Sequence, residues 1–245
     1  YYGVDLLDYG VKAEMTSGIR SGILQFTYPE SDSSFILLDM NHTLWQSCPW
    51  SNLRVENDST LVGYKLVKGW GPERHVYFTA VFSKPFRDFG IMQDTIPVKY
   101  NTNRFRSSLE AWGKDLRFWM RFPTRQGEMV TVKTAVSAVS SDGAKLNMQE
   151  LEGKTFASLK AEGEKLWEGQ LSKFKIEATP EQRETFYTSV YHAFLHPFIF
   201  QDADGKFREL DKNIGQAEGF TNYTVFSLWD TYRALHPLFN LVQRE

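Results

Sequence analysis

Residues 60–82 read TLVGYKLVKGWGPERHVYFTAVF and contain two runs in which apolar side chains recur at close to every second position. Because successive side chains of a strand point to opposite faces, the runs Thr60–Val67 and Arg74–Phe82 predict two β-strands. The residues between them, Gly69-Trp70-Gly71-Pro72, have the composition of a turn. The stretch therefore predicts antiparallel strands that are buried on one face.

The same period of two extends on both sides of this pair, from Tyr1 to about Val139. Clusters of turn residues, such as Arg125-Gln126-Gly127-Glu128, separate the apolar runs. Short strands at such spacing are typical of an antiparallel β-sandwich. The other predicted strands are Ser21–Tyr28, Phe35–Met40, Asp115–Phe122 and Met129–Val139.

After Ser140 the apolar period becomes helical. A short helix is predicted from Asp142 to Leu151, and an amphipathic helix follows in which apolar residues between Phe156 and Phe174 recur every three or four positions. These helices predict a linker over residues 141–178. The linker joins a sandwich domain, residues 1–140, to a helical domain, residues 179–245.

Thr179-Pro180-Glu181-Gln182 predicts the first residues of a further helix. Threonine can cap the helix, proline fits its first turn, and glutamine three residues after the cap completes a capping box. We expect this helix to end at Pro197. Its predicted buried residues are Phe186, Tyr187, Val190, Tyr191 and Phe194.

A last helix is predicted with Asn222 as its cap and Pro237 as the residue that kinks or ends it. So few long helices leave their apolar faces without partners, and we therefore expect the chain to be an incomplete piece of a larger helical domain. The predicted apolar face of this helix comprises Val225, Phe226, Trp229, Tyr232 and Leu235.

Composition excludes several classes of protein. The chain has 245 residues, a formal net charge of −2 and 42% hydrophobic residues, which is typical of a globular protein. Lysine and arginine form no stripe that would bind nucleic acid, and no apolar run approaches the roughly 18 residues of a membrane span. Tyr1 to Asp8 lacks the features of a signal peptide, so we expect that any targeting segment has been removed. The single cysteine, Cys48, cannot form an intrachain disulfide.

Motifs for nucleophilic and nucleotide chemistry are absent from the sequence: there is no nucleophile elbow, phosphate-binding loop or dinucleotide-binding turn. His192 and His196 are four residues apart on one predicted helix, but no third ligand accompanies them, so we interpret them as polar residues near a helix end. Asp202, Asp204 and Gly205 predict a tight turn, since the later ligands of a calcium loop are missing. No metal ligand is predicted in the chain.

The sequence around Asp230, Ser227-Leu228-Trp229-Asp230-Thr231-Tyr232-Arg233, places an acid among aromatic residues. A carboxylate beside an indole is suited to a sugar, because the anion accepts hydrogen bonds from vicinal hydroxyls while the ring covers the apolar face. Arg233 lies three residues further on and can contact the acid along a helix, keeping it ionised. Asp230, Trp229 and Arg233 are therefore the predicted substrate-binding residues. An ion pair that ties helices together is an equally weighted alternative.

Residues 220–237, FTNYTVFSLWDTYRALHP, resemble a sequence block of glycoside hydrolase family 92, the exo-acting α-mannosidases. Residues 186–195, FYTSVYHAFL, are similar to the first barrel helix of that family, and residues 76–86, VYFTAVFSKPF, to a pair of its sandwich strands. The family usually has Pro-Asn after that helix, whereas this chain has Leu195-His196-Pro197-Phe198.

The resemblance implies a β-sandwich packed on an (α/α)6 barrel, with the active site at their interface. It also implies hydrolysis of terminal α-mannosides with inversion and with the assistance of calcium, and we expect an α-1,2-type specificity. Asp230 carries over as an acceptor for hydroxyl groups of the terminal mannose. The general acid, the base and the calcium ligands are expected outside this chain, so no catalytic residue is assigned here. The chain is expected to be a middle fragment that is inactive alone.

The implied partners are mannose-terminated glycans, as in N-glycan degradation, and the remainder of the same polypeptide. The implied location is the periplasm or the extracellular space. A noncatalytic carbohydrate-binding sandwich with an exposed aromatic platform is the alternative, and another glycosidase or phosphorylase with the same two domains is a third hypothesis. In the enzyme Asp230 should face a deep pocket between the domains, whereas in a binding module it should be exposed or paired.

Overall fold

The computed structural model describes residues 1–93, 96–97 and 110–243, with side-chain surroundings for all of these except 96–97. Strands dominate up to residue 137, and helices dominate after it. The strands are β1 Tyr2–Leu6, β2 Val11–Ser17, β3 Ser21–Tyr28, β4 Ser31–Asp39, β5 Ser47–Val55, β6 Thr60–Lys68, β7 Arg74–Phe82, β8 Asp88–Gln93, β9 Ile96–Pro97, β10 Glu110–Gly113, β11 Leu116–Thr124 and β12 Glu128–Ser137.

The strands form two sheets in which every described pair is antiparallel. The larger sheet has eight strands in the order β1-β2-β3-β12-β7-β6-β5-β10, and the smaller has four in the order β4-β11-β8-β9. In the larger sheet Gly63 of β6 lies opposite Phe78 of β7. A Cβ atom at Gly63 would meet the Phe78 ring and the carbonyl oxygen of Asn52, so this close approach requires glycine.

The core lies between the two sheets. Alternate residues of β11, from Leu116 to Phe122, are buried against inward-facing side chains of the larger sheet. Burying one such Phe or Leu side chain contributes about 1.5–3 kcal/mol. The two sheets therefore form a sandwich, as the sequence predicts. The large side chains in the core include Tyr28, Leu53, Val55, Leu61, Phe82, Phe86, Ile91, Leu116, Phe118, Met120, Phe122 and Val130.

The helices cover part of the outer face of the larger sheet. The first helix, α1, packs on β12 and β7, while α2 packs on β2 and β3. Ile23, Leu151 and Leu159 form a second, smaller core beneath α2. The helical elements are α1 Ser141–Met148, a 3-10 turn Gln149–Leu151, α2 Phe156–Leu171, α3 Pro180–Ala193, α4 Leu228–Thr231 and α5 Leu235–Val242, with a hairpin of β13 Lys206–Arg208 and β14 Ile214–Gln216 between α3 and α4.

The predicted fold, an antiparallel sandwich followed by helices, is confirmed. Ser21–Tyr28 and Arg74–Phe82 are strands with the predicted bounds. Strands β1, β2, β5, β8, β9 and β10 are not among the predicted ones. No strand is predicted around Trp45 to Trp50, but β5 begins at Ser47. Its Pro49 and Asn52 are poor strand formers, and pairing with β6 and β10 overrides that preference.

The helix predicted at Thr179 is confirmed, with the reciprocal bonds of the capping box between Thr179 and Gln182. It ends at Ala193, before the expected Pro197. The prediction for the last helix is wrong: Asn222 caps no helix, and α4 begins only at Leu228. Pro237 lies in the first turn of α5, where a missing backbone N–H leaves no intrahelical bond unmade.

The apolar face predicted for that last helix is wrong as well, because Val225 and Phe226 precede α4, Tyr232 follows it, and Leu235 begins the separate helix α5. Of the residues predicted to be buried on α3, Val190 is buried and Tyr191 is exposed. Within the described ranges, no helix combines the length and the hydrophobicity needed to cross a membrane.

Candidate functional site

The predicted sugar-binding acid lies on α4, a helix of one turn. Ser227 precedes the helix, and Asp230 and Trp229 are both exposed on it, Trp229 with 85% of its surface accessible. In the part of the chain that the structure describes, the carboxylate of Asp230 has no hydrogen-bond or ion-pair partner. It is therefore free to accept hydrogen bonds from a ligand.

Arg233 does not pair with Asp230, so the predicted contact along a helix is wrong. The helix ends at Thr231, and Arg233 lies beyond it, so helical spacing does not apply between the two residues. The Arg233 Nε atom donates instead to the hydroxyl oxygen of Tyr232 at 3.1 Å. The alternative of an ion pair between Asp230 and Arg233 that ties helices together is contradicted by the same geometry.

Contacts of Thr231 and Phe226 with His236 of α5 fix the position of α4 relative to α5. The buried Thr231 hydroxyl donates to the Ser227 carbonyl oxygen at 3.1 Å and lies 2.8 Å from His236 Nε2. The Phe226 ring, just before the helix, packs edge-on against the His236 ring with their centroids 5.0 Å apart. Because Thr231 and Phe226 flank Asp230, these contacts restrict the position of its backbone.

The segment before α4 pairs with the segment after α3. The Phe200 N–H donates to the Asn222 carbonyl oxygen at 2.8 Å, and the Thr224 N–H donates to the Phe198 carbonyl oxygen at 2.8 Å. The Asn222 side chain adds a bond from Nδ2 to the Phe200 carbonyl oxygen at 2.7 Å. Asn222 therefore uses its hydrogen-bonding groups between these two segments rather than to cap a helix.

The histidine pair of the sequence is not a site. His192 is the next-to-last residue of α3, and His196 lies past the end of that helix. The His196 ring packs against the rings of Phe198 and Phe226 at 4.8 and 6.0 Å. The two histidines therefore do not share a helical face, which agrees with their interpretation as polar residues near a helix end.

The predicted tight turn at Asp202 is confirmed. The Gly205 N–H donates to the Asp202 carbonyl oxygen at 2.9 Å, and Gly205 has a positive φ of 83°, which glycine adopts without strain. A hydrogen bond from Lys206 Nζ lowers the pKa of the Asp204 carboxyl group. That carboxylate is thus neutralised by its neighbour within the turn.

Calcium does not fit the residues that the structure describes. Nowhere among them do three or more His, Cys, Asp or Glu side chains converge in a way that could hold a metal ion. Calcium sites in proteins need six to eight oxygen ligands, usually with several carboxylates. No step of a reaction can therefore be assigned to calcium from these residues.

An open cleft of about 380 Å³ lies between α2, α5 and the segment that follows α3. Its walls are largely apolar and aromatic, with Trp167, Phe194, Tyr223 and Phe239 among the lining residues. Asp230 lines neither this cleft nor any of the other leading cavities of the described residues. The deep pocket expected at Asp230 is not formed by these residues, and the roles of Asp230, Trp229 and Arg233 stay predictions.

Two further exposed indoles lie on the outer face of the larger sheet. Trp112 of β10 pairs with Asn52 of β5, so it shares a face with Trp50, two residues from Asn52. Trp50 and Trp112 are 45% and 54% exposed. Trp112 Nε1 donates to Glu110 Oε1 at 3.0 Å, which orients the indole. Neither β5 nor β10 was predicted from the sequence. Trp50 and Trp112 are far apart in the sequence, so no local pattern indicated that they share a face of the sheet.

Family models match nearly the whole chain. Residues 1–137 match the glycosyl hydrolase family 92 N-terminal domain, and residues 143–245 match the glycosyl hydrolase family 92 catalytic domain. The chain therefore belongs to glycosyl hydrolase family 92. A comparison with curated proteins found no match.

Solved structures of the family agree with this membership. The chain is 70% identical to the family GH92 alpha-mannosidase BT3965 from Bacteroides thetaiotaomicron, with a TM-score of 0.96 over 100% of this chain and 33% of that one. The same alpha-mannosidase in complex with mannoimidazole gives a TM-score of 0.95, again at 70% identity, over 100% and 32% of the two chains. The chain thus spans about a third of the length of these structures.

A more distant structure shares the fold. The family GH92 inverting mannosidase BT2199 from Bacteroides thetaiotaomicron is 23% identical, with a TM-score of 0.82 over 97% of this chain and 31% of that one. The sandwich and the first helices are therefore retained where most side chains differ.

Proposed function

We propose that this chain is part of a longer polypeptide that hydrolyses terminal α-linked mannose from glycans. The observation that carries the proposal is the 70% identity over the whole chain to an alpha-mannosidase of the same family. The mannoimidazole complex of that relative supports mannose-containing glycans as the substrate class.

In this proposal Asp230 accepts hydrogen bonds from hydroxyl groups of the terminal mannose, and Trp229 covers the apolar face of the sugar. The unpartnered, exposed carboxylate supports this role, because it needs no existing bond to be broken before a ligand binds. Arg233, held by Tyr232, contributes positive charge near the sugar rather than a direct bond to Asp230. The remaining walls of the pocket come from the rest of the polypeptide.

Inversion of configuration, an α-1,2-type linkage preference and the assistance of calcium complete the proposal. These three features rest on the family resemblance, and the fold shared with an inverting mannosidase supports the first of them. The general acid, the base and the calcium ligands lie outside the residues described here. The proposed location, periplasmic or secreted, follows from the extracellular origin of such glycans.

Mannose release by the full-length polypeptide tests this function. We expect NMR of the first product to show β-mannose, because an inverting enzyme delivers water from the opposite face of the ring. We also expect chelation of calcium to abolish mannose release and added calcium to restore it. Release of α-mannose first would contradict inversion, and no release from any α-mannoside would end the proposal.

Replacing the proposed sugar-binding acid tests the site. Asp230→Asn in the full-length polypeptide should lower kcat/KM about 100-fold, or about 2.7 kcal/mol, because it removes a charged acceptor from the sugar. Glu184→Gln on α3 is the matched control, since Glu184 is also an exposed acid. The control should retain its kcat/KM. Equal kcat/KM values for the two variants would show that Asp230 does not bind the sugar.

A noncatalytic carbohydrate-binding module is the second candidate function. The exposed indoles of Trp50 and Trp112, on one face of the larger sheet, favour it because such rings stack on sugars. The exposure of Asp230 also fits this alternative. Glycan binding that is lost in the double variant Trp50→Ala and Trp112→Ala, without any mannose release by the full-length polypeptide, would favour the module over the enzyme.

A further inference from the structure

Residues 198–202, which follow α3 and pair with residues 222–224 before α4, are held against the sandwich and α1 by a buried residue, Asp202. Its side chain is 4% exposed, and both carboxylate oxygens are bonded. The hydroxyl group of Ser137, the last residue of β12, donates to Oδ2 at 2.6 Å, and Asn147 Nδ2 of α1 donates to Oδ1 at 2.8 Å. Asn147 Oδ1 also accepts the Ala203 N–H at 2.8 Å.

The packing around Asp202 is tight. A Cβ atom at Gly143 of α1 would collide with Asp202 Oδ2 and with Ser137 Oγ. Because a buried carboxylate with complete hydrogen bonding is costly to disturb, the backbone at Asp202 is held firmly against the sandwich and α1.

Gln201 transmits this fixed position to the segment before α4. Its carbonyl oxygen accepts Arg20 Nε at 2.6 Å, and the same arginine bonds Glu150 Oε1 at 2.6 Å. On the other side, Gln201 Oε1 accepts the backbone N–H of Asn222 at 2.6 Å. Gln201 therefore bonds Arg20 of the sandwich through its main chain and Asn222, in the segment before α4, through its side chain.

Four residues separate Asn222 from Ser227, and they contain no helix or named strand. Their position therefore depends on the hydrogen bonds to residues 198–201 and on the packing of Phe226. A shift of Asn222 would be passed along this short segment to the one-turn helix that carries Asp230.

We propose that Gln201, anchored by Asp202, is a positioning residue through which the sandwich sets the location of the Asp230 carboxylate. The proposal rests on the proposed function, since it assigns Asp230 to the sugar. It gives the sandwich a part in substrate recognition that requires no direct contact between the sandwich and the sugar.

Two variants of the full-length polypeptide separate the acceptor from the volume of the side chain. Gln201→Met keeps the length but removes the acceptor for the Asn222 N–H, whereas Gln201→Glu keeps an oxygen in that place. We expect KM for a terminal α-mannoside to rise about 10-fold in Gln201→Met, with a smaller change in kcat, as for the loss of one hydrogen bond that acts on sugar binding. Gln201→Glu should stay within about 2-fold of the parent.

The double variant Gln201→Met and Asp230→Asn tests whether Gln201 affects sugar binding through Asp230. If Gln201 acts through Asp230, Gln201→Met should cause no further loss in the Asp230→Asn background. Multiplied losses in the double variant, or a KM unchanged by Gln201→Met, would overturn the positioning role while leaving the proposed function intact. No loss from Asp230→Asn alone would instead contradict the proposed role of Asp230. Thermal denaturation of each variant checks that the fold is retained.

Discussion

Tyr28, at the end of β3, combines burial with one specific hydrogen bond. Its hydroxyl group donates to the Phe35 carbonyl oxygen at 3.0 Å, and its ring packs edge-on against Phe122. We expect Tyr28→Phe to lower the free energy of unfolding by about 1 kcal/mol, because the bond is lost and the carbonyl oxygen is left without its donor. Chemical denaturation of the full-length polypeptide measures this. A variant as stable as the parent would show that water replaces the bond.

The same residue predicts a dependence of stability on pH. Burial raises the pKa of Tyr28 to about 12 from an ordinary value of 10.0. Between these values the unfolded chain loses the phenolic proton before the folded chain does, so the contribution of Tyr28 is complete below pH 10 and is lost as the pH rises toward 12. We expect the fall in unfolding free energy over that range to be smaller in Tyr28→Phe. Parallel curves for the two proteins would contradict a buried, neutral Tyr28.

At the same scale, the sequence led to a predicted role for Asp230, which stays a prediction, but it did not predict the surroundings of that residue. An acid between aromatic residues is visible as a local pattern. Its contact with Arg233 was predicted from helical spacing, and it fails because the helix ends after one turn. The end of that helix depends on Phe226, Thr231 and His236, whose contacts no local pattern reveals.

The N-terminus of α3 is an element-scale feature set by local chemistry. Thr179 Oγ1 accepts the Gln182 N–H, and Gln182 Oε1 accepts the Thr179 N–H at 3.1 Å. Thr179→Ala should lower the free energy of unfolding by about 1 kcal/mol, since it leaves an N–H of the first turn unpaired. Thr188→Ala, in the exposed middle of the same helix, is the control and should be neutral or slightly stabilising. Denaturant titration measures the free energy of unfolding of both variants. Equal values would contradict a stabilising role of Thr179 as the helix cap.

Elements with strong local signals were predictable from the sequence, and elements that depend on distant partners were not. Strands β3 and β7 lie inside the larger sheet, and their sequences have apolar side chains at alternate positions, such as Phe78, Ala80 and Phe82 of β7. In contrast, β1 and β10 are edge strands, and β1 is largely exposed on both faces, so it shows no such alternation. Residues 222–227, which precede α4, were predicted to be helical. They pair instead with residues 198–200, a tertiary contact that no local sequence pattern reveals.

At the scale of the whole molecule, the sandwich and the helical part differ in how completely they bury their apolar residues. The sandwich has a continuous core between two sheets. The helical part leaves large apolar side chains exposed, among them Phe198, Trp229, Tyr232 and Leu241. Such a surface marks a contact region, and in the proposed function the rest of the polypeptide covers it. The sugar pocket at Asp230 would be enclosed by the same contact.

The isolated chain of 245 residues should therefore release no mannose, whereas the full-length polypeptide should release it. An inverting glycosidase needs an acid and a base about 6.5–9.5 Å apart with a water between them, and the proposal places both groups outside this chain. The exposed apolar surface should also make the isolated chain bind a hydrophobic dye more strongly than the full-length polypeptide. Mannose release and dye fluorescence, measured on both proteins at equal concentration, test these expectations. Turnover by the isolated chain would show that its own acids perform the reaction, and Asp230 on α4 would be the first candidate.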